Sequence, residues 1–183
     1  MSIAVAVIVL ALVGVVLAWN LLVRRRNAVA NAFAGVDAML MLRYDLIPNL
    51  VATVKGYADH ESGTLRAIAE LRSQATRTDL DADTRVRLDN RISQGISSVL
   101  ALAEHYPDLH ASENFQQLQR ALNEVEERIG AARRAYNAAV NDYNNATGLF
   151  PLSLVALAAG LKPRAYFVAP PDSRDAVGVA LGG

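Results

Sequence analysis

Metal or proton-transfer chemistry in this sequence would have to involve His60, His105 and His110, its three histidines. A di-metal carboxylate bundle needs Glu-x-x-His pairs on facing helices, and none of the three stands in such a pair. His60-Glu61 and Glu104-His105 are adjacent pairs, and neighbours along a helix point to different faces. The three read as surface histidines. With no cysteine there is no thiolate metal site and no disulfide. A serine nucleophile needs a strand-turn-helix elbow or a paired base, and a phosphate loop needs a strand before it; neither is visible here. The expectation is no catalytic residue, metal, cofactor or small-molecule substrate, and so no enzyme.

Asparagine is the residue whose spacing stands out. Tyr136-Asn137 recurs one heptad later as Tyr143-Asn144, with Asn141 between them. Asparagine is a poor residue inside a helix, so three on neighbouring turns call for hydrogen-bond partners. Two readings stand. They bond across helices and fix register, as a buried coiled-coil asparagine does, or they form a polar binding strip. Asn27 and Asn31, at i and i+4, belong to the same candidate cluster if the fold brings the two groups together. The charges Glu124, Glu126, Glu127, Arg128, Arg133 and Arg134 read as a solvated face, its i,i+4 ion pairs each worth about 0.2–0.5 kcal/mol.

The elements that must position these residues are helices. From Ile3 to Val23 there is no charge, and Arg24-Arg25-Arg26 closes the run. About 21 residues at 1.5 Å each give about 31 Å, the thickness of a hydrocarbon core. Trp19 lies one turn before the arginines, where an indole prefers the interface. Trp19, Arg24, Arg25 and Arg26 are thus the candidate anchoring residues. A cleaved secretory signal would carry its basic residues ahead of a shorter apolar run; here they follow it, which favours a retained anchor. Basic flanks stay on the cytoplasmic side. The expectation is an inner-membrane, single-pass protein with its N-terminus outside and its domain in the cytoplasm. Gly14 and Ala18 form a small-xxx-small pair able to pack two spans together.

Beyond the span, Val29, Phe33, Val36, Leu40 and Tyr44 share one face in steps of three and four. With no breaker before them, one helix is predicted to continue from membrane into domain. Pro48 is expected to end or kink it, with Asp45 capping a second helix that runs to about Arg77. That helix turns Leu50, Val54, Ala58, Leu65 and Ile68 inward. A third begins after Asp83 as N-cap, carries Val86, Ile92, Ile96, Val99 and Leu102, and stops near Tyr106-Pro107. The fourth places Phe115, Leu118, Leu122, Val125, Ile129, Ala132, Tyr136, Ala139 and Tyr143 on a seam of period 3.5. It spans about 35 residues and ends before Pro151.

The fold class is all-α: a transmembrane helix continuous with an antiparallel up-and-down four-helix bundle. The divisions are 1–23 for the span, 24–150 for the bundle, 151–168 for a candidate interfacial segment and 169–183 for a flexible tail. The fourth helix should return toward the bilayer. The apolar run 149–161, too short to span, then either dips into the headgroups, with Lys162 and Arg164 on anionic lipid, or folds back over the bundle.

Several segments together resemble the LemA family. They are Arg26-Asn27-Ala28-Val29, Arg43-Tyr44-Asp45-Leu46-Ile47-Pro48-Asn49-Leu50-Val51, Gly56-Tyr57-Ala58-Asp59-His60-Glu61, and Tyr106-Pro107-Asp108-Leu109 with Glu113-Asn114-Phe115. Glu126-Glu127-Arg128-Ile129, Arg133-Arg134-Ala135-Tyr136-Asn137, Asp142-Tyr143-Asn144 and Lys162-Pro163-Arg164-Ala165-Tyr166-Phe167 follow in order. The resemblance implies an N-terminal anchor on a helical domain, with no established enzymatic activity to carry over. Met39, Met41 and Leu42 depart from the pattern and add apolar surface. Lys plus Arg and Asp plus Glu both number 18, a balance that gives no reason to expect nucleic acid. The expected role is a scaffold or interaction protein whose partners are the bilayer and either another protein or a second copy of itself. The alternative is a non-catalytic accessory subunit of a membrane enzyme, protease or envelope-maintenance system.

Overall fold

The structure, a computed structural model, describes residues 2–77, 79–80 and 82–167. Among them there are six α-helices and no strand: α1 Ser2–Lys55, α2 Ser62–Ala75, α3 Ala82–Ala103, α4 Pro107–His110, α5 Glu113–Gly148 and α6 Leu152–Ala158, with a 3-10 turn at Asp59–Glu61 between α1 and α2. The residues expected to form the tail, 169–183, lie outside the described part.

The foot of α1 is long and apolar enough to cross a membrane, and its side chains are bare: Ile3, Val7, Leu10, Leu12 and Leu17 are each more than half exposed. Burial begins at Leu22 and then recurs every seventh residue, at Val29, Val36, Arg43 and Leu50. One uninterrupted helix therefore carries both the apolar foot and one wall of the core, as its unbroken periodicity implied.

Pro48 does not end that helix, which runs on to Lys55. Proline lacks the N–H that would bond the carbonyl four residues back, and here that carbonyl belongs to Tyr44. Arg72 of α2 supplies the missing donor, its Nε lying 2.8 Å from the Tyr44 oxygen. Asp45 caps nothing; its carboxylate stands 3.7 Å from Arg72 Nη2. The break comes later, at Gly56 and Tyr57, so Leu50 and Val54 are buried as expected but from α1. Likewise α3 already begins at Ala82, which puts Asp83 in its first turn and not at its cap.

The core joins Leu40, Ile47 and Val54 of α1, Leu65 and Ile68 of α2, Ile92 and Val99 of α3, and Phe115, Leu122 and Ile129 of α5. Burying such side chains is worth about 1.5–3 kcal/mol each, so these four helices are held by one apolar body. Ser112 caps α5, its Oγ accepting from the Phe115 N–H at 3.2 Å, and α5 keeps its 36 residues without a break. Along the α1–α5 contact residue numbers rise on one helix as they fall on the other: Arg25 meets Asp142, and Arg43 meets Glu126.

α6 folds back on that contact. Its Ala156 is buried against Leu22 and Ala146, with Leu152, Val155 and Leu161 around them. Leu149, Phe150, Leu154 and Leu157 stay exposed. The helix stops at Gly160, whose φ of 65° suits a residue without a Cβ. The Gly160 N–H reaches the Leu157 carbonyl and the Leu161 N–H reaches that of Ala156. This paired bond pattern turns the chain sharply, and residues 162–167 then run without helix along α5 as a strap.

Candidate functional site: a tyrosine–asparagine clasp beside the apolar foot

Asn137, Asn141 and Asn144 of α5 bond to the segment 162–167 and not across to another helix. Asn144 Nδ2 donates to the Arg164 carbonyl at 3.0 Å and its Oδ1 accepts the Arg164 N–H at 2.8 Å. One heptad back, Asn137 treats Phe167 in the same way, at 2.9 and 2.8 Å. The preceding tyrosines join in: Tyr143 donates to the Lys162 carbonyl and Tyr136 to the Ala165 carbonyl, both at 3.2 Å. Each Tyr-Asn pair thus holds strap residues n and n+2, first 162 and 164, then 165 and 167. The repeat has a geometric cause. Seven helical residues rise about 10.5 Å, and three extended residues cover about 10 Å. A heptad on α5 therefore matches a triplet on the strap. Asn141, between the pairs, accepts from the Tyr166 hydroxyl at 3.3 Å.

Phe167 anchors the strap's far end. Its ring stacks on Phe33 at 6.5 Å, meets Tyr136 edge-on at 5.3 Å and lies 5.6 Å under the Arg133 guanidinium. Burial pushes the Tyr136 phenol above its ordinary range, while the Arg164 charge pulls it back. Between α1, α5 and the strap lies a cavity of about 490 Å³ lined by Val23, Arg26, Asn27, Phe33, Tyr136 and Arg164 among others.

Of the residues singled out from sequence, Asn137, Asn141 and Asn144 all hold the strap. Asn27 opens on the cavity beside Arg164, the residue that Asn144 grips. Asn31 is exposed, with no hydrogen bond to the clasp among the described residues. Trp19, Arg24 and Arg26 are exposed, whereas Arg25 is half-buried and paired at 2.6 Å with Asp142. His60, His105 and His110 are all exposed, and among the described residues no three His, Asp or Glu side chains converge on a point that could hold a metal.

The charged face of α5 is only partly solvated. Arg128 pairs with Glu124 on the surface, but half-buried Arg133 and the still exposed Glu126 reach charges on other helices. Arg43, fully buried on the α1 seam, reaches Asp89 of α3, Ser93 at 2.9 Å and Glu126 at 2.8 Å, and Arg133 takes the other oxygen of Asp89. Two guanidinium groups thus meet two carboxylates across three helices. Burial lowers the Arg43 guanidinium's pKa and Glu126 raises it in return. The neighbouring Tyr44 hydroxyl is buried without a partner among the described residues, and burial raises its pKa. This network was missed, although the spacing held a sign of it. Arg43 interrupts an otherwise apolar heptad, and Asp89 stands three residues before Ile92 and seven before Ile96 on one face.

These features define a class: a chain helical through its described residues apart from short connections, with a long apolar N-terminal helix and with residues 162–167 strapped to α5. The LemA family model matches residues 32–180, and the chain belongs to the LemA family. It is 29% identical over 150 residues to Protein LemA of Metamycoplasma hominis, covering 82% of this chain and 68% of that one. It is also similar to the magnetosome protein MamQ 2 of Paramagnetospirillum magneticum, 29% over 83 residues, and to magnetosome protein MamQ of Magnetospirillum gryphiswaldense, 27% over 79 residues. Those matches cover 45% and 43% of this chain but only 30% and 29% of the magnetosome proteins, so it spans under a third of their length.

Proposed function

We propose that this chain is a membrane-anchored scaffold: an antiparallel, up-and-down four-helix bundle of α1, α2, α3 and α5 that organises partners at the cytoplasmic face of the inner membrane. The observation that carries the reading is where apolar surface remains bare. Large exposed apolar side chains are concentrated at the foot of α1 and at Leu149, Phe150, Leu154 and Leu157, and these two regions adjoin through Leu22, Ala146 and Ala156. A contiguous apolar zone of that kind at one end of a chain matches a bilayer. Trp19 and Arg24 to Arg26 sit at its edge, and the outer face of α6 lies against the headgroups.

The pairs Arg25–Asp142 and Arg43–Glu126 support opposite directions for α1 and α5. The unspent surface at the other end, including exposed Leu42, suits a protein partner or a second copy. Alkaline extraction tests the anchor, since a chain released with peripheral proteins is not spanning. A C-terminal reporter active only in the periplasm tests orientation, and a strong signal there overturns a cytoplasmic domain. In-membrane crosslinking from Asn31, Met41 and Asn141 separates self-association from recruitment. A single recurrent partner enzyme would favour the accessory-subunit reading instead.

A further inference from the structure

We infer that the cavity between α1, α5 and the strap is a binding site for the phosphodiester headgroup of an anionic membrane phospholipid, an inference that rests on the anchor reading above. Two guanidinium-bearing residues from different elements border it, Arg26 of α1 and Arg164 of the strap, with the Asn27 amide beside them. Neither arginine has a carboxylate within 4 Å among the described residues, whereas the adjacent Arg25 is committed to Asp142. Arg164 is not a loose surface arginine: both its backbone N–H and its carbonyl are gripped by Asn144, which fixes the root of the side chain. Arg164 and Tyr136 both line the cavity, which places the arginine at its wall. Guanidinium forks match phosphate oxygens, and about 490 Å³ falls in the range of small-molecule sites, roughly 300–1,000 Å³.

The level of the cavity selects a lipid over free phosphate. Its lower wall is Val23, the last residue of the uncharged run, and Arg26 lies three residues, or about 4.5 Å, further along the helix. A headgroup layer is about 5–7 Å deep on each side of the hydrocarbon, so both fall where lipid phosphates lie. Val23, on the bilayer side of Arg26, offers apolar wall to the glycerol and upper acyl carbons.

The test uses the full chain in detergent, with phosphatidylglycerol and phosphatidylcholine titrated separately and retained lipid read by native mass spectrometry. Phosphatidylglycerol should be retained at least about tenfold better than phosphatidylcholine. Arg26→Gln with Arg164→Gln should abolish that preference, while the charge-matched pair Arg66→Gln with Arg120→Gln, both exposed, should keep it. Arg164→Gln alone, at an exposed position, gives the same reading at reduced size should the double variant melt early. Unchanged preference in a folded Arg26/Arg164 variant overturns the site. So does stripping of the lipid by excess inorganic phosphate, which would make a free anion the ligand. Alkaline extraction separates the two failures: a chain that washes out of membranes loses the anchor, and one that stays without the preference loses only this site.

Discussion

Replacing Asn144 by alanine removes two hydrogen bonds that hold one residue of the strap, and the amide of that residue reports the loss directly. The bonds run from Asn144 Nδ2 to the Arg164 carbonyl and from the Arg164 N–H to Asn144 Oδ1. A net hydrogen bond is worth about 0.5–1.5 kcal/mol. Asn144 is partly open to solvent and Arg164 exposed, so the lower half of that range applies, about 1–2 kcal/mol for the pair. Local opening of the strap then becomes about 5–30 times more frequent. Hydrogen exchange on the detergent-solubilised chain should show this acceleration at Arg164. Phe167, held by Asn137 and packed on three other side chains, should change far less. Asn137→Ala should reverse the pattern. Equal exchange at Arg164 in wild type and Asn144→Ala would refute the clasp as the restraint on the strap.

Further outcomes follow from the helix joints and the buried network. Arg72→Met should destabilise by about 1–2 kcal/mol in denaturant melts, because the Tyr44 carbonyl loses a charged donor; in a Pro48→Ala background, where residue 48 donates instead, the same change should cost only a few tenths. Asp89→Leu should cost about 3–5 kcal/mol, since it removes the buried carboxylate that Arg43 and Arg133 share and leaves Arg43 buried with Glu126 as its remaining counter-charge. Tyr44→Phe removes a buried hydroxyl without a partner among the described residues and should leave stability unchanged or raise it by up to about 1 kcal/mol. The phenols of Tyr44 and Tyr136 are both raised, so folding favours their protonated forms. Their contribution is intact below the unfolded tyrosine pKa of about 10 and is lost as pH climbs through the folded values. Melts should therefore be flat from pH 7 to 9 and fall beyond about 10, with a shallower fall in Tyr44→Phe.

The helical faces were legible because apolar periodicity reports burial directly: Val29, Val36, Leu40, Tyr44, Ile92, Val99, Phe115, Leu122 and Ile129 were all placed inward and are buried. Pro48 misled because its cost depends on whether a distant donor serves the orphaned carbonyl, and Arg72 lies 24 residues away with nothing local to announce it. The Tyr-Asn repeat announced a need for partners but not their identity. A heptad constrains only the helix that carries it, and the matching triplet lies in a segment with no periodicity of its own. The charges of α5 read as one solvated face for a similar reason. Glu124 and Arg128 find each other locally, whereas Glu126 and Arg133 answer Arg43 and Asp89 on other helices.

The unbroken α1 has a mechanical meaning once its foot stands in lipid. From Val23 to Tyr44 is 21 residues, a mast of about 32 Å, and no linker intervenes to absorb rotation. Each 10° of lean at the membrane carries Tyr44, and the charges packed beside it, about 5–6 Å sideways. Spanning helices lean by about 20° on average, and more where the hydrocarbon is thinner than their apolar length. On the proposed anchoring, bilayer thickness would bias the bearing of the whole domain: a thicker membrane would raise it upright, and a thinner one would lay it toward the surface.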